Sequence, residues 1–433
     1  MSFKLLRNYH VQEWLHSLKE FQQQWQHHCS MPTFNAFVST RQFILNTAVY
    51  TEGRRQDQLD CEVFFCNLEE SRASILKKNI DSLLQQLHVG LADTDPGDYS
   101  VYTGTSGIAA LYLHLANKLG DGRGAQYLQT ALTYIKHPLN HLNGKRYSFA
   151  CGDAGPLALG AVIYSKLGQN DKTKDCINRL SAIHVTVCQN KSLPDEFLYG
   201  RVGYLFGLLF VQHHLGKDKI DNSLVARVSK EVLDSGRSLA QAERSQAPLM
   251  YMWHEKYYLG AAHGLAGIFY TLMQVSEPSI QSIIAELVRP CVDYMLTLQF
   301  PSGNCPSSLE NVTSDKLVHW CHGAPGWIHT FVLAYKVFGD EVYLHAARRC
   351  ADLIWKKGLL RKGYGICHGA AGNAYAFLVM FRITQDQKYL HRAWKFAEWC
   401  FNYGKHGCRT PDHPFSLFEG KHGGYDLFPC GFT

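Results

Sequence analysis

The sequence predicts an all-α fold, an α/α toroid in which a ring of buried helices lies inside a ring of half-buried ones. The first observation is a GxxG tetrapeptide that recurs at intervals of 46 to 64 residues. Its copies begin at Gly104, Gly152, Gly200, Gly264, Gly323, Gly369 and Gly420. The second observation is that apolar runs follow six of these copies and that amphipathic segments lie between them. Units that cannot bury an inner helix alone are typical of repeat architectures.

The apolar runs predict the inner helices, and the GxxG tetrapeptides predict the mouths at which these helices begin. The six runs are IAALYLHLA, PLALGAVIY, YLFGLLFV, IFYTLM, WIHTFVLAY and NAYAFLVMF. A helix that is apolar on nearly every side is buried on every side. Glycine at a mouth lets the backbone pass close to its neighbour and adopt positive φ. We expect all the mouths on one face of the ring, and we expect that face to carry the function.

The segments between the runs predict outer helices with one buried stripe each. In residues 341–358 and 387–404, apolar side chains are spaced three and four residues apart, as on one face of a helix. They are Tyr343, Ala347, Cys350 and Ile354 in the first segment, and Leu390, Ala393, Ala397 and Cys400 in the second. Residues 71–90 are expected to form the first outer helix.

The repeat pattern predicts two regions. Residues 1–70 contain no GxxG and are interpreted as a divergent N-terminal extension, whereas residues 71–433 are interpreted as the toroid. After Gly420 the chain reads KHGGYDLFPCGFT, which is too short for a full inner helix. The seventh repeat is therefore predicted to be truncated.

Composition excludes several classes of protein. The net charge is +6, from 43 basic and 37 acidic residues, and there is no dense basic run that would indicate binding to nucleic acid. The N-terminal sequence MSFKLLRNYHVQEW lacks the apolar core of a signal peptide, and no stretch is long enough for a transmembrane helix. Ser2 excludes N-myristoylation. We expect a cytoplasmic protein whose 14 cysteines are reduced, with a nuclear or peripheral plasma-membrane location as alternatives.

Two neighbouring mouths carry Cys-His-Gly, at Cys321-His322 and at Cys367-His368. A single such pair usually reflects packing, because cysteine behaves as a small hydrophobe. Two pairs in the same register at adjacent mouths favour convergence, and thiolates and imidazoles are ligands for zinc. We predict a zinc ion on Cys321, Cys367 and His368, with a fourth position open to a substrate. Such ligands suit activation of a thiol, because coordination lowers its pKa.

The motifs WCHGAPG, CHGAAG, CGDAGPLA, LYGR and GAAHGLAG resemble those of the eukaryotic lanthionine synthetase C-like proteins, relatives of the bacterial lanthipeptide cyclases. The resemblance covers roughly residues 71–422, and two stretches, HLNGKRYSFACGDAG and CQNKSLPDEFLYGR, are most similar to the family's second vertebrate paralogue. It implies a toroid of seven helical hairpins, zinc on the three residues named above, and glutathione as the thiol. It also implies a Michael addition of glutathione to dehydroalanine or dehydrobutyrine residues in proteins.

An addition of this kind needs a proton donor for the enolate that forms. His263, in the mouth GAAHGLAG, is the first candidate, and His322 and Asp153 are the next, because both also lie at mouths. Lys362 and Arg409 match positions of the family that contact glutathione. Together with Asp412 they are predicted to bind glutathione here.

Departures from the family favour an alternative. An Arg-Ala-Phe-x-Asn-Pro-like stretch that reaches the family's active site has no counterpart in residues 1–70, and the C-terminal sequence also differs. The alternative is a non-catalytic adaptor that binds zinc and glutathione, at a membrane or on a kinase. Toroidal glycosidases and terpene cyclases are disfavoured because they need paired carboxylates or acidic motifs. The sequence predicts a single carboxylate at the mouths, Asp153.

Overall fold

The structure is a computed structural model, and it describes residues 55–93, 95, 97–118 and 122–420. The chain divides into two compact units, residues 1–75 and residues 76–433. The predictions made for residues 1–54, and for the seventh inner helix after Gly420, lie outside the described residues. No helix of the described ranges is both long enough and apolar enough to span a membrane.

The helices alternate between inner and outer positions along the chain. Inner helices are α2 (Thr105–Lys118), α4 (Ala154–Lys166), α7 (Arg201–Leu215), α9 (Leu265–Leu272), α12 (Ala324–Phe338) and α14 (Ala370–Thr384). Outer helices are α1 (Arg55–Gly90), α3 (Gly124–Asn140), α5 (Asn170–Ala182), α8 (Asn222–Ala242), α10 (Pro278–Ile283), α11 (Arg289–Leu298), α13 (Glu341–Lys357) and α15 (Gln387–Phe401). A π-helical stretch (Ile284–Val288) joins α10 to α11, and a short helix α6 (His184–Gln189) follows α5. Each inner helix packs against the next, from α2 through α4, α7, α9 and α12 to α14.

Burial of the inner helices follows their composition. Every residue from Ala154 to Tyr164 of α4 is buried, as is every residue from Arg201 to Gln212 of α7. The outer helices bury one stripe each, and all four residues predicted for α13 are buried. The prediction of buried inner helices inside half-buried outer ones is confirmed.

The second glycine of each of the first six mouths is required by close packing of backbone. A Cβ atom at Gly107, for example, would overlap the carbonyl oxygen of Val101, six residues earlier. The same overlap with the carbonyl oxygen six residues earlier is found at Gly155, Gly203, Gly267, Gly326 and Gly372. The first glycine of the fifth mouth, Gly323, has a φ of 113°, whereas the other mouth glycines up to Gly420 have no positive φ. Close approach therefore explains the repeat, and among these described glycines the expectation of positive φ holds only at Gly323.

Backbone hydrogen bonds join the mouths across the point where the ring closes. The N–H of Cys321 donates to the carbonyl of Cys367 (3.2 Å), and the N–H of Cys367 donates to that of Phe418 (2.9 Å). The N–H of Phe418 donates to the carbonyl of Tyr102 (3.2 Å), whose own N–H donates to that of Ala150 (2.9 Å). The segment that leads to the seventh mouth, as far as Gly420, therefore lies between the sixth mouth and the first.

Two predictions about the outer helices need correction. The first outer helix begins at Arg55 rather than at residue 71, because residues 54–89 contain neither glycine nor proline to end it. In α15 the stripe consists of Tyr389, Ala393 and Phe396, whereas Leu390 is 37% exposed. The larger aromatic side chains set the rotation of this helix, because they bury more apolar area than leucine and alanine.

Candidate metal centre and its surroundings

Cys321, Cys367 and His368 come together at the fifth and sixth mouths. Their possible ligand atoms, two sulfurs and one imidazole nitrogen, all lie within 4.8 Å of one another. Both cysteines are buried, and His368 is half-buried. The bond from the N–H of Cys321 to the carbonyl of Cys367 holds the two mouths in register. The structure thus assembles the three residues that the sequence pattern had selected.

The three residues fit a zinc ion. Zinc–sulfur bonds are about 2.3 Å and zinc–nitrogen bonds about 2.0 Å, so ligands on one ion lie about 4 Å apart. Two thiols with one imidazole are a donor set that zinc prefers over magnesium or calcium. Three protein ligands leave a tetrahedral position for a substrate.

The two thiols have opposite protonation preferences. The pKa of Cys321 is lowered, first because the Cys367 thiol hydrogen-bonds to its sulfur, and the Lys362 ammonium acts in the same direction against the effect of burial. That hydrogen bond and burial raise the pKa of Cys367 well above its usual value. The Tyr102 hydroxyl, whose pKa burial raises, lies beside the Cys367 thiol. The Cys321 sulfur is therefore the one that ionises first.

Two neutral histidines border the cluster. Burial lowers the pKa of His322 to about 4, and nearby His263, His319 and Lys362 act in the same direction. Burial likewise lowers the pKa of His319 to about 4. The Nδ1 of His322 is buried and has no hydrogen-bond partner among the described residues. At neutral pH both rings are uncharged.

His263 is paired with a buried carboxylate that sequence analysis missed. Its Nδ1 lies 2.7 Å from Oε2 of Glu196, which is 2% exposed. The backbone N–H groups of Leu198 and Tyr199 also donate to this carboxylate, so it acts as an acceptor and Nδ1 of His263 is the donor. The remaining ring nitrogen is then available to exchange a proton. The His263 ring lies 6.5 Å from that of His322, the residue after Cys321.

The prediction that Asp153 is the single carboxylate at the mouths was wrong. Glu196 lies four residues before Gly200, the first glycine of the third mouth, and the N–H of Gly200 donates to its carbonyl (3.1 Å). The same four-residue relation joins Gly104 to Ser100 and Gly264 to Gly260. A search of the four residues before each GxxG would have found Glu196.

Aromatic rings surround His263. Tyr199 and Trp253 stack near it, each with a ring centroid 6.1 Å from that of His263. Tyr258 lies 5.7 Å from His263 and 5.6 Å from His322. Through Tyr258, this group of rings extends from His263 to His322, the residue beside Cys321.

Asp153 is buried but engaged at both oxygens. The hydroxyl of Tyr99 donates to Oδ1 (2.9 Å), and the backbone N–H of Gly144 donates to Oδ2 (2.8 Å). These bonds fix the loop before the second mouth. They favour a structural role over proton donation.

The predicted glutathione-binding residues lie on two adjoining loops. The backbone N–H of Arg409 donates to the carbonyl of Arg361 (2.8 Å), which brings Arg409 beside Lys362 in the fold. The Arg409 guanidinium pairs with Asp412 (3.1 Å), and both side chains are exposed. Lys362 is exposed as well and lies near Cys321. The three residues thus offer two cations and one anion at the rim of the cluster.

A family model described as lanthionine synthetase C-like protein matches residues 95–427. The chain belongs to the lanthionine synthetase C-like family. One relative, Glutathione S-transferase LANCL1 of Danio rerio, is 48% identical over 374 residues, which are 86% of this chain and 91% of the relative. Among solved structures, nisin cyclase aligns with a TM-score of 0.61 at 16% identity, over 80% of this chain and 92% of its own.

The lanthionine synthetase C-like assignment confirms the predicted family, and the match to nisin cyclase confirms the α/α toroid. The resemblance to the second vertebrate paralogue stays a prediction. So do the roles of the individual site residues.

Proposed function

We propose that this protein adds the thiol of glutathione to dehydroalanine or dehydrobutyrine residues in proteins and that it depends on zinc. The convergence of Cys321, Cys367 and His368 within 4.8 Å carries this proposal. The Danio rerio relative supports it, because that protein is named a glutathione S-transferase. When bound, zinc would lower the pKa of a coordinated thiol and leave the thiolate nucleophilic.

The reaction forms one carbon–sulfur bond. The glutathione sulfur bonds to the β-carbon of the dehydroamino acid, and the carbon–carbon double bond gives its electron pair to the α-carbon and the adjoining carbonyl. The thiol loses its proton to the solvent, and the α-carbon gains one from a general acid. No oxidant or reductant is consumed.

His263 is the group that we assign to protonate the α-carbon. Glu196 orients its ring through Nδ1, 2.7 Å away, and stabilises the imidazolium that carries the second proton. His322 is half-buried and neutral at pH 7, which makes it a weaker proton donor there. Asp153 is the weakest of the three candidates because its carboxylate already accepts two structural hydrogen bonds.

Glutathione carries two carboxylates and one ammonium group, and the rim residues match these charges. Lys362 and Arg409 supply cations for the carboxylates, and Asp412 supplies an anion for the ammonium group. Lys362 also places positive charge near Cys321, where a bound thiolate would add negative charge.

The test combines metal analysis with an addition assay. Purified protein is expected to contain one zinc per chain and to convert a dehydroalanine peptide to its glutathione adduct, detected by mass spectrometry. Cys367→Ala is expected to lose both the zinc and the activity. Cys176→Ala, which changes a buried cysteine of outer helix α5, is the matched control and is expected to keep both.

Full activity in the Cys367→Ala protein would refute the proposal. Zinc and glutathione binding without any adduct would instead support the non-catalytic adaptor. The buried Glu196–His263 pair favours the enzyme, because an adaptor has no use for an oriented proton donor.

A further inference from the structure

An aromatic surface adjoins the assigned proton donor, and the addition reaction does not by itself require it. We call Tyr199, Trp253 and Tyr258 the aromatic platform. The rings of Tyr199, Trp253 and His263 have centroids 5.9 to 6.1 Å apart. Their planes are nearly parallel, with interplanar angles of 13°, 19° and 27°. The three ring planes are therefore aligned, and each side chain is half-exposed, so a further flat ring can stack beside them.

A constrained turn holds Trp253 in this position. The N–H groups of Trp253 and Lys256 each donate to the other's carbonyl, at 3.0 and 3.1 Å, and close a two-residue hairpin. The residues inside it, His254 and Glu255, have φ of 46° and 58°. This left-handed conformation at both positions is usual for glycine or asparagine, and strained backbone tends to persist at functional sites.

Tyr199 is fixed from two sides. Its side chain lies beside the Cys151 thiol, and the guanidinium of Arg146 lies 4.9 Å from its ring centroid. Its backbone N–H donates to Glu196, the partner of His263. The platform and the proton donor are thus parts of one assembly.

We infer that the aromatic platform binds the side chain next to the dehydroamino acid and selects acceptor peptides with a flat aromatic side chain there. The inference rests on the proposed function, because it places the α-carbon at His263. Consecutive Cα atoms are about 3.8 Å apart, so a neighbouring side chain reaches rings centred 6.1 Å from His263. Aromatic side chains gain more on such a surface than alanine does.

The test compares two dehydroalanine peptides, one flanked on both sides by phenylalanine and one flanked by alanine. With wild-type protein, KM for the phenylalanine peptide is expected to be about tenfold lower. Trp253→Leu is expected to bring the two KM values to within about twofold of each other, while Trp253→Phe retains the preference. Trp355→Leu, on outer helix α13, is the matched control and is expected to change neither constant.

A second measurement separates this inference from the reaction. Inert peptides, in which alanine replaces dehydroalanine, are titrated into the zinc-loaded protein by calorimetry, and the phenylalanine peptide is expected to bind about tenfold more tightly. If neither reactive peptide is converted but this preference is seen and is lost in Trp253→Leu, the proposed function fails and the platform stands. Equal binding and equal KM for both peptides overturn the inference, as does a preference that survives in Trp253→Leu.

Discussion

Glu196 accepts hydrogen bonds from His263 and from two backbone N–H groups, and it is almost fully buried. A buried carboxylate with three donors is held in one orientation, and it holds the imidazole in turn. In the proposed mechanism, the orientation of His263 therefore depends on Glu196, which is not one of the three residues proposed to hold zinc.

Glu196→Gln is expected to lower kcat for glutathione addition about 100-fold with little change in KM or zinc content, because the amide cannot stabilise the imidazolium. Combined with His263→Asn, it is expected to add almost no further loss, since both changes remove one function. Steady-state kinetics on the three variants check this. Glu231→Gln, at an exposed ion pair with Lys191, is the control. Independent, multiplying losses would contradict the pairing.

A second buried carboxylate, Asp195, holds the loop that carries Glu196. Its Oδ1 lies 2.7 Å from Nη1 of Arg201, and the two side chains are 9% and 4% exposed. Arg201 also donates to the carbonyls of Val187, Asn190 and Leu193. Burial raises the pKa of Asp195 above its usual 3.8, despite the opposing charge of Arg201.

Arg201→Met is expected to destabilise the fold by about 3–5 kcal/mol at pH 7.5, because it leaves Asp195 buried and unpaired. A raised pKa in the folded state means that protonation of Asp195 stabilises the folded protein. This stabilisation is lost as the pH rises through that pKa. Arg201→Met removes the neighbouring positive charge and so raises the pKa of Asp195 further. The loss of stability in this variant is therefore expected to be smaller at pH 5 than at pH 7.5.

Urea denaturation at the two pH values measures this difference. Arg179→Met is the control, because its ion pair with Asp175 is exposed, and it is expected to cost less than about 1 kcal/mol. An equal penalty for Arg201→Met at both pH values would show that Asp195 does not titrate in this way.

At the scale of the element, each inner helix begins where its backbone passes against the preceding loop. The second mouth glycine leaves no space for a methyl group, as at Gly155, where a Cβ would overlap the carbonyl oxygen of Phe149. The repeat of GxxG therefore reflects a repeated backbone contact, and the two residues before the first glycine are free to differ. That freedom is what allows Cys-His-Gly at two mouths and other residues elsewhere.

Gly155→Ala is expected to lower the free energy of unfolding by about 3 kcal/mol, since the added methyl group meets backbone that cannot move aside. Gly207→Ala, in the interior of α7, is the control. Its Cβ would lie 3.3 Å from the side chain of Ala154, and alanine favours the helix, so the change is expected to stay within about 1 kcal/mol. Equal effects in urea denaturation would contradict the packing argument.

At the scale of the whole molecule, the contacts that close the ring also position the cluster of Cys321, Cys367 and His368. Phe418 stacks on Tyr102 of the first mouth (4.8 Å between centroids) and lies 5.8 Å from Trp320. Its carbonyl accepts the N–H of Cys367. The segment before Gly420 thus supports Cys367 at the sixth mouth while it joins the ring to the first mouth.

Phe418→Ala is expected to destabilise the fold by about 3–5 kcal/mol, through the loss of a buried aromatic ring. Because the same segment positions Cys367, zinc is also expected to be released at a lower chelator concentration than from wild type. Chelator titration with a zinc-sensitive dye, alongside urea denaturation, checks both effects. Leu390→Ala, on the exposed side of α15, is the control. If Phe418→Ala loses stability but retains zinc as well as wild type does, the contacts that close the ring do not support the metal site.

Much of this architecture was accessible from the sequence because it rests on local patterns. Seven GxxG copies and six apolar runs predicted the mouths and the inner helices, and the matching Cys-His-Gly register predicted Cys321, Cys367 and His368 as one cluster. The predicted buried stripe of α15 was displaced by one residue, since helical spacing alone does not say whether Leu390 or Tyr389 faces the interior. The start of α1 was missed for a similar reason, because absence of glycine and proline permits a helix without demanding one.

The sequence by itself determined the fold class and the convergence of Cys321, Cys367 and His368, since repeated glycines and apolar runs have few ways to bury their helices. Only the tertiary structure decided that Glu196 meets His263, 67 residues away, that Trp253 stacks beside it, and that Phe418 closes the ring on Tyr102. The Glu196–His263 and Phe418–Tyr102 pairings join different mouths, and their partners carry no shared spacing along the chain. Folding brings them together through the backbone bonds between mouths, which no local pattern of side chains encodes.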